Sequence, residues 1–340
     1  MKIDLVYIWV DGSDQNWLTK KNEALEKIGK PITHLYATDN RWRDNNELKY
    51  SLRSAEKYAP WINHIFIVTD NQIPKWLNIN NPKITIIDHK QIIPMDKLPL
   101  FNANAIEMFL WKIPDLSEYF LYANDDMFFG KPLNPDFFFD RNGNPIVIMK
   151  QRNRSFKNLD DFSNVTSRLF MVKSARTIKF AYKKLGIKFN LAFKHAIEPI
   201  RKSYMEENFK ELENNIYNTT ITAFRDVNNI QRIIMPLFDN AKKRNTIVLN
   251  WHTGNKRIVY KSEKDNKVRR LFLYLKWIFS LIIGIIKYDC YDKQWFLVKF
   301  IKKHKPSLFA INDFSKNKTT FKMAEKLMIN LFPNKSEYEK

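Results

Sequence analysis

Apolar and polar positions alternate along the first 140 residues in a repeating pattern. IDLVYIWV at 3–10 is a short apolar run rich in β-formers, which predicts a buried strand. It ends in Asp11-Gly12-Ser13-Asp14, a turn that can cap a following helix, and Trp17, Leu18, Leu25 and Ile28 then fall on helical spacing. Leu48, Leu52 and Ala55 mark a second amphipathic helix around 46–57. HIFIVTD (64–70) and ITIIDH (84–89) predict two more buried strands. NANAIEMFLWKI (102–113) predicts a helix, and EYFLYANDDMFF (118–129) a strand running into an acidic turn. Repeated strand–helix order predicts an α/β domain with a mostly parallel sheet, whose ligands gather at the carboxyl ends of the strands. After residue 140 the pattern weakens. Residues 165–235 read as mainly helical, and LFLYLKWIFSLIIGII (271–286), interrupted by Lys276, is shorter than the roughly 20 residues a membrane span needs.

Charge divides the chain along the same line. Residues 1–140 hold 16 Lys+Arg against 19 Asp+Glu, and the remaining 200 hold 41 against 17, so the whole excess of +21 belongs to the second part. This predicts a near-neutral core at 1–140, a mainly helical part at 141–255 and a basic part at 256–340. The basic surface suits a phosphate, a nucleotide, an acidic polymer or an anionic membrane. Basic flanks around 271–286 fit docking on a membrane surface as well as they fit a core helix. Hydrophobic content of 44% and charged content of 27% exclude wholesale disorder. A lone Cys290 excludes a disulfide framework and a cysteine zinc site. The first residues lack a basic region and cleavage site of a secretory signal, so a cytoplasmic location is expected.

The residues able to do chemistry cluster at predicted strand ends. Asn124-Asp125-Asp126 follows an apolar run, and carboxylates there are costly unless paired, hydrated or bound to a cation. Asp125 and Asp126 are therefore the candidate ligands for Mg²⁺ or Mn²⁺, which commonly bind one or two carboxylates plus substrate phosphates. Asp11 and Gly12 close the first strand. Arg41, Arg43, Asn45 and Glu47 form a dense polar stretch whose arginines match phosphate oxygens. Asn102, Asn104 and Glu107 lie in the first turns of a predicted helix, where exposed N–H groups attract anions. His195, in a stretch with Lys194, Arg201 and Lys202, has the ring chemistry of a general base near neutrality. No GxxxxGK[ST], GxGxxG or HExxH occurs, which argues against P-loop kinases, Rossmann dehydrogenases and zincin proteases.

In order, these blocks resemble the Stealth family of sugar-phosphate transferases. The matching text is IDLVYIWVDGSD (3–14), RWRDNNELKYSLRSAEKYAPWINHIFIVTDNQIPKWLN (41–78), LPLFNANAIEMFLWKIPDLSEYFLYANDDMFFGKPL (98–133), FKHAIEPIRKSYMEE (193–207) and the shorter FAINDF (309–314). One departure is Ile197, where the family usually has a proline. The resemblance implies a nucleotide-sugar-transferase-like (GT-A/Rossmann-like) core and a capsular or cell-surface polysaccharide phosphotransferase. It implies that a hexose-1-phosphate moves from a UDP-sugar to an acceptor hydroxyl on a growing polysaccharide, releasing UMP and leaving a phosphodiester. Asp125 and Asp126 would then hold the metal, with Asn124 orienting them. Asp11 and Gly12 would line the nucleotide pocket, while Arg41, Arg43 and the helix start at Asn102 would contact phosphate or sugar. His195 would take the acceptor's proton, Arg201 or Arg225 would neutralise phosphate charge, and Asn312 and Asp313 would close the site. A conventional glycosyltransferase releasing UDP and a non-enzymatic polyanion or nucleic-acid binder are the competing readings. The near-neutral first 140 residues weigh against the binder, and no specific nucleic acid is expected.

Overall fold

The computed structural model describes residues 1–28, 42–151, 169–187, 191–193, 195–249, 286–289, 301, 306–312 and 318–340. The apolar run 271–285, Arg41 and Asp313 lie outside the described residues.

The predicted strands come together in one five-stranded sheet. Its members are β1 (Ile3–Ile8), β2 (Ile65–Thr69), β3 (Ile84–Asp88), β4 (Tyr119–Asn124) and, much later in the chain, Glu198–Arg201, in the order β3-β2-β1-β4-late strand. The first four pair in parallel. Strands buried on both faces need apolar residues at nearly every position, which is why IDLVYI and IFIVT read as continuous runs. Val6, Phe66, Val68, Ile87, Phe120 and Tyr122 face one side, and Leu5, Tyr7, Ile67, Leu121 and Ala123 the other. Helix α1 (Gln15–Ile28) follows β1, and α2 (Glu47–Tyr58) packs Leu48, Leu52 and Ala55 on the second face. Because β2 and β4 flank β1 on opposite sides, the chain changes direction of progress there. This is the position at which an α/β sheet opens a crevice at its carboxyl edge.

Two stretches depart from the helical expectation. The helix expected over 102–113 is a single turn, Ala103–Ile106, followed by a 3₁₀ segment, Glu107–Lys112. The mainly helical reading of 165–235 holds for Leu169–Leu185, Lys202–Glu211 and Glu213–Thr220, but Glu198–Arg201 is a strand, antiparallel to β4 at the sheet edge. Four residues with a proline carry no periodic signal, and an edge is where a strand tolerates proline.

The chain then returns to its beginning. Strand β5 (Met127–Phe129), directly after the acidic turn, pairs with Leu308–Asn312. Phe128 stacks on Phe309 and Phe332, and Lys318–Leu331 forms the helix beneath. Arg53 of α2 donates Nε and Nη2 to the two carboxylate oxygens of Glu339, at 2.7 and 2.8 Å. Among the described residues, no helix is long and apolar enough to cross a membrane.

Candidate active site

Asp11 follows β1 and is pinned by the side chain of Gln72. The Asp11 N–H donates to Gln72 Oε1 (3.0 Å) while Gln72 Nε2 donates to the Asp11 carbonyl (2.9 Å). The Asp11 carboxylate accepts from Ser13 N and Oγ at 2.8 and 2.6 Å. Gly12 donates its N–H to the Trp42 carbonyl at 2.7 Å, and a Cβ there would lie 2.4 Å from that oxygen. The close approach that needs a glycine is thus to the chain's own Trp42 backbone. It brings the loop carrying Arg43 and Asp44 against the end of β1.

At the start of α2, Asn46 takes φ 63°, a left-handed conformation asparagine tolerates. The turn lets Glu47 fold back on Asn45, accepting from its N–H at 2.6 Å and its Nδ2 at 2.7 Å. Glu47 is buried, and that burial pushes its carboxyl up to about 7 despite these bonds. Asp125 is held well above the usual carboxylate range, first by burial and then by the charges of Asp126, Glu47 and Asp44. Asp44 is likewise raised by burial, with Asp11 adding to it. Carboxylates from three separate segments therefore crowd one lip of the crevice. Asp126 has a specific partner: His195 Nε2 lies 2.9 and 2.8 Å from its two oxygens.

The opposite lip carries arginines. Arg232 is buried and donates Nη1 to Glu198 Oε2 at 2.5 Å and Nε to Glu107 Oε2 at 3.2 Å. Its guanidinium lies 4.4 Å from the Tyr122 ring centroid. The Tyr122 hydroxyl is 3.1 Å from Glu107 Oε1 and 2.6 Å from Asn124 Oδ1. Burial lowers the pKa of Arg225, and the charges of Glu107 and Tyr122 work against that shift. Tyr122, Glu198 and Arg232 carry no motif signal on their own, since their meeting depends on sheet register and on the edge strand.

Sequence comparison now decides the lineage. Residues 1–29 match the model of Stealth protein CR1, conserved region 1, and residues 41–147 match that of Stealth protein CR2, conserved region 2. The chain belongs to the Stealth family. This Stealth chain is 38% identical over 232 residues to the capsular polysaccharide phosphotransferase fcs1 of Haemophilus influenzae, covering 67% of this chain and 62% of that protein. It is 39% identical over 230 residues to the capsular polysaccharide phosphotransferase cps1A of Actinobacillus pleuropneumoniae, with the same coverage. It is 43% identical over 170 residues to the exopolysaccharide phosphotransferase cps2G of Lactiplantibacillus plantarum, covering 50% and 48% of the two chains. The matches span about three-fifths or less of these relatives' lengths. The solved galactosyltransferase LgtC is similar at 9% identity and a TM-score of 0.42 over 98% of both chains, too distant to carry an argument.

Within the Stealth chain, the two matched regions contain Asp11, Gly12, Arg43, Asn45, Glu47, Asn124, Asp125 and Asp126. His195 and Arg225 come from beyond them. Four expected site residues stand apart or are already committed. Arg201 pairs with Tyr119 at the far end of β4, five residues or roughly 16 Å from Asn124, and donates Nε to Glu118 at 2.7 Å. The structure does not bring it to the crevice. Asn102 is fully buried; its Oδ1 caps the Asn104 N–H (3.2 Å) and its Nδ2 donates to Asn229 (2.9 Å), so it holds the loop. The turn it caps has four residues, too few for the helix terminus expected to attract an anion. Asn104 accepts from Lys173 Nζ at 2.5 Å, and both Glu107 oxygens are engaged. Asn312 ends its strand beside the acidic turn, where the preceding Ile311 N–H donates to the Asp126 carbonyl at 2.8 Å.

Proposed function

We propose that this chain transfers a sugar-1-phosphate from a UDP-sugar to a hydroxyl of a growing capsular or cell-surface polysaccharide, releasing UMP and forming a phosphodiester. The observation that carries this reading is the Asp126–His195 pair set beside crowded carboxylates on one lip, with Arg225 on the other. A proton acceptor, a cation-hungry edge and an arginine are what phosphoryl transfer requires. The relatives' names as capsular and exopolysaccharide phosphotransferases support it.

The Asp126 carboxylate favours the tautomer with hydrogen on His195 Nε2, leaving the Nδ1 lone pair as the base. His195 Nδ1 takes the acceptor hydroxyl proton as the acceptor oxygen bonds to the phosphorus attached to the sugar. The bond from that phosphorus to the UMP oxygen breaks, and UMP leaves. Arg225 lies against the phosphate and balances its charge. Asp11 and Gly12 line the nucleotide end, Arg43 reaches toward phosphate, and Asn312 and Asp313 close the site.

The donor set fits Mg²⁺ or Mn²⁺. Burial, and then the neighbouring charges of Asp126, Glu47 and Asp44, raise Asp125, and two carboxylates with substrate phosphates meet the usual needs of magnesium. Among the described residues, no three acidic, histidine or cysteine side chains form a ligand set. Asp125 and Asp126 would hold the ion, with Glu47 beside them. Bound there, the ion would neutralise diphosphate charge.

The test is nucleotide release from UDP-sugars with Mg²⁺ or Mn²⁺ and fragments of surface polysaccharide. Acceptor-dependent UMP supports the proposal, whereas UDP makes the protein a conventional glycosyltransferase. The basic 256–306 stretch is proposed to hold polyanionic acceptor or to dock peripherally on the inner membrane face. Unchanged membrane recovery after its deletion removes the docking role.

A further inference from the structure

Trp17, Trp42, Phe101 and Phe224 form a small buried aromatic cluster, separate from the cores on the two faces of the sheet. The rings touch in a row. Trp42 meets Trp17 with centroids 5.5 Å apart, Trp17 meets Phe101 edge-on at 5.2 Å, and Phe101 stacks on Phe224 at 5.0 Å with 17° between the planes. The ammonium of buried Lys21 lies 4.9 Å from the Trp42 ring centroid. At one end of the row, the Trp42 carbonyl receives the Gly12 N–H beside the end of β1. At the other end, Phe224 directly precedes Arg225.

The chain around Arg225 is tied down on both sides by one dipeptide. On its N-terminal side, the Phe101 N–H donates to the Ala223 carbonyl at 2.7 Å, and the Phe101 ring covers Phe224. On its C-terminal side, the Asp226 N–H donates to Asn229 Oδ1 at 2.6 Å, and the same oxygen receives Asn102 Nδ2 at 2.9 Å. A binding side chain has to be held within about 0.5 Å of its productive place, which a long arginine achieves only when its backbone is fixed. Packed rings suit that task, because each offers a large contact area with two torsions to hold.

We propose that Phe101 is a positioning residue for Arg225, and that the row Trp42–Trp17–Phe101–Phe224 keeps the phosphate end of the donor site in register with the nucleotide end at Asp11 and Gly12. The inference rests on the reading that Arg225 meets the donor's phosphate. It gives the cluster a task beyond burial, since a loop late in the chain is set against the turn that closes β1.

The experiment is calorimetric titration of UDP with Mg²⁺ into the whole chain, with a melting curve for each variant. Phe101→Leu keeps the backbone N–H and an apolar side chain but removes the stack. It is expected to weaken UDP by about fivefold, the scale of one aromatic pair. Phe224→Leu, on the other side of the stack, should give the same loss and carries the same comparison if Phe101→Leu does not fold. In an Arg225→Met background, Phe101→Leu should add less than about twofold, because the guanidinium it positions is already gone. Phe238→Leu, in the core on one face of the sheet, should lower the melting temperature yet leave UDP affinity within about twofold. Wild-type affinity in the folded Leu variants overturns the inference. So does a full fivefold loss on adding Phe101→Leu to Arg225→Met, which a merely structural role would give, and so does an equal loss in Phe238→Leu. A wild type that binds no UDP, or an Arg225→Met chain that binds it as wild type does, overturns instead the donor reading on which the inference rests.

Discussion

The two lips of the crevice are built on opposite electrostatic plans. On the α2 side, Asp44, Glu47, Asp125 and Asp126 approach one another, with Asn45 bonded to Glu47 and His195 to Asp126, and Asp125 and Glu47 are pushed toward protonation. On the other side, Arg232 and Arg225 face Glu107 and Glu198, and the charges balance. One lip gathers carboxylates that burial and mutual repulsion raise, and on the other Arg232 is paired with Glu198 and Glu107. A cation on the first lip and an anion on the second would be the two halves of the metal–diphosphate that the proposed donor presents.

The largest effect is expected at the Asp126–His195 side-chain pair, which joins the acidic lip to the later part of the chain. Asp126→Asn should lower turnover by about 10²- to 10⁴-fold, the usual contribution of an oriented general base, while the melting temperature stays near wild type. Turnover within a factor of three of wild type would remove the dyad from the mechanism. Next in size is stability at the C-terminal return. Arg53 and Glu339 are both largely shielded, and Glu339→Gln should cost about 3 kcal/mol by leaving Arg53 without its carboxylate. Burial would raise the Glu339 carboxyl, but Arg53 and the Ser336 N–H and hydroxyl prevail and hold it near about 2, against 4.5 ordinarily. The depressed pKa means this stabilisation is fully present above about pH 4.5 and is lost as pH falls toward about 2. Urea melts of wild type and variant should therefore converge in acid, and a constant gap down to pH 2 would contradict the assignment.

A smaller effect sharpens the strain on the acidic lip. Asp125→Asn should raise the melting temperature in chelator by about 2 °C, because it removes a crowded charge, and should abolish the stabilisation Mg²⁺ gives wild type. A variant less stable in chelator would show that Asp125 has a partner and no need of an ion. The smallest effect is expected at Arg201→Met. Because Arg201 sits beside Glu118 at the other end of β4, donor affinity should change by less than about twofold. A large loss would bring Arg201 back into the site.

Much of the frame was legible because its physics is local. A strand buried on both faces has to be apolar at nearly every position, and IDLVYI and IFIVT declare themselves in that way. The acidic turn was legible as an unpaired charge after such a run. Partnerships were not. Asp126 and His195 are 69 residues apart, and Arg232 and Glu107 are 125 apart. Their meeting depends on an edge strand with no periodic signature. Arg201 misled for the same reason: the strand that brings His195 to one end of β4 runs antiparallel and carries Arg201 to the other.

The pairing of β5 with Leu308–Asn312 has a consequence for how the protein is made. The strand that leaves the acidic turn is synthesised almost two hundred residues before its neighbour emerges from the ribosome. Until then Phe128 has neither Phe309 nor Phe332 to cover it, and α2 has no Glu339 to grip. A nascent product that stops short of residue 308 therefore carries every carboxylate of the crevice before β5 has its partner strand.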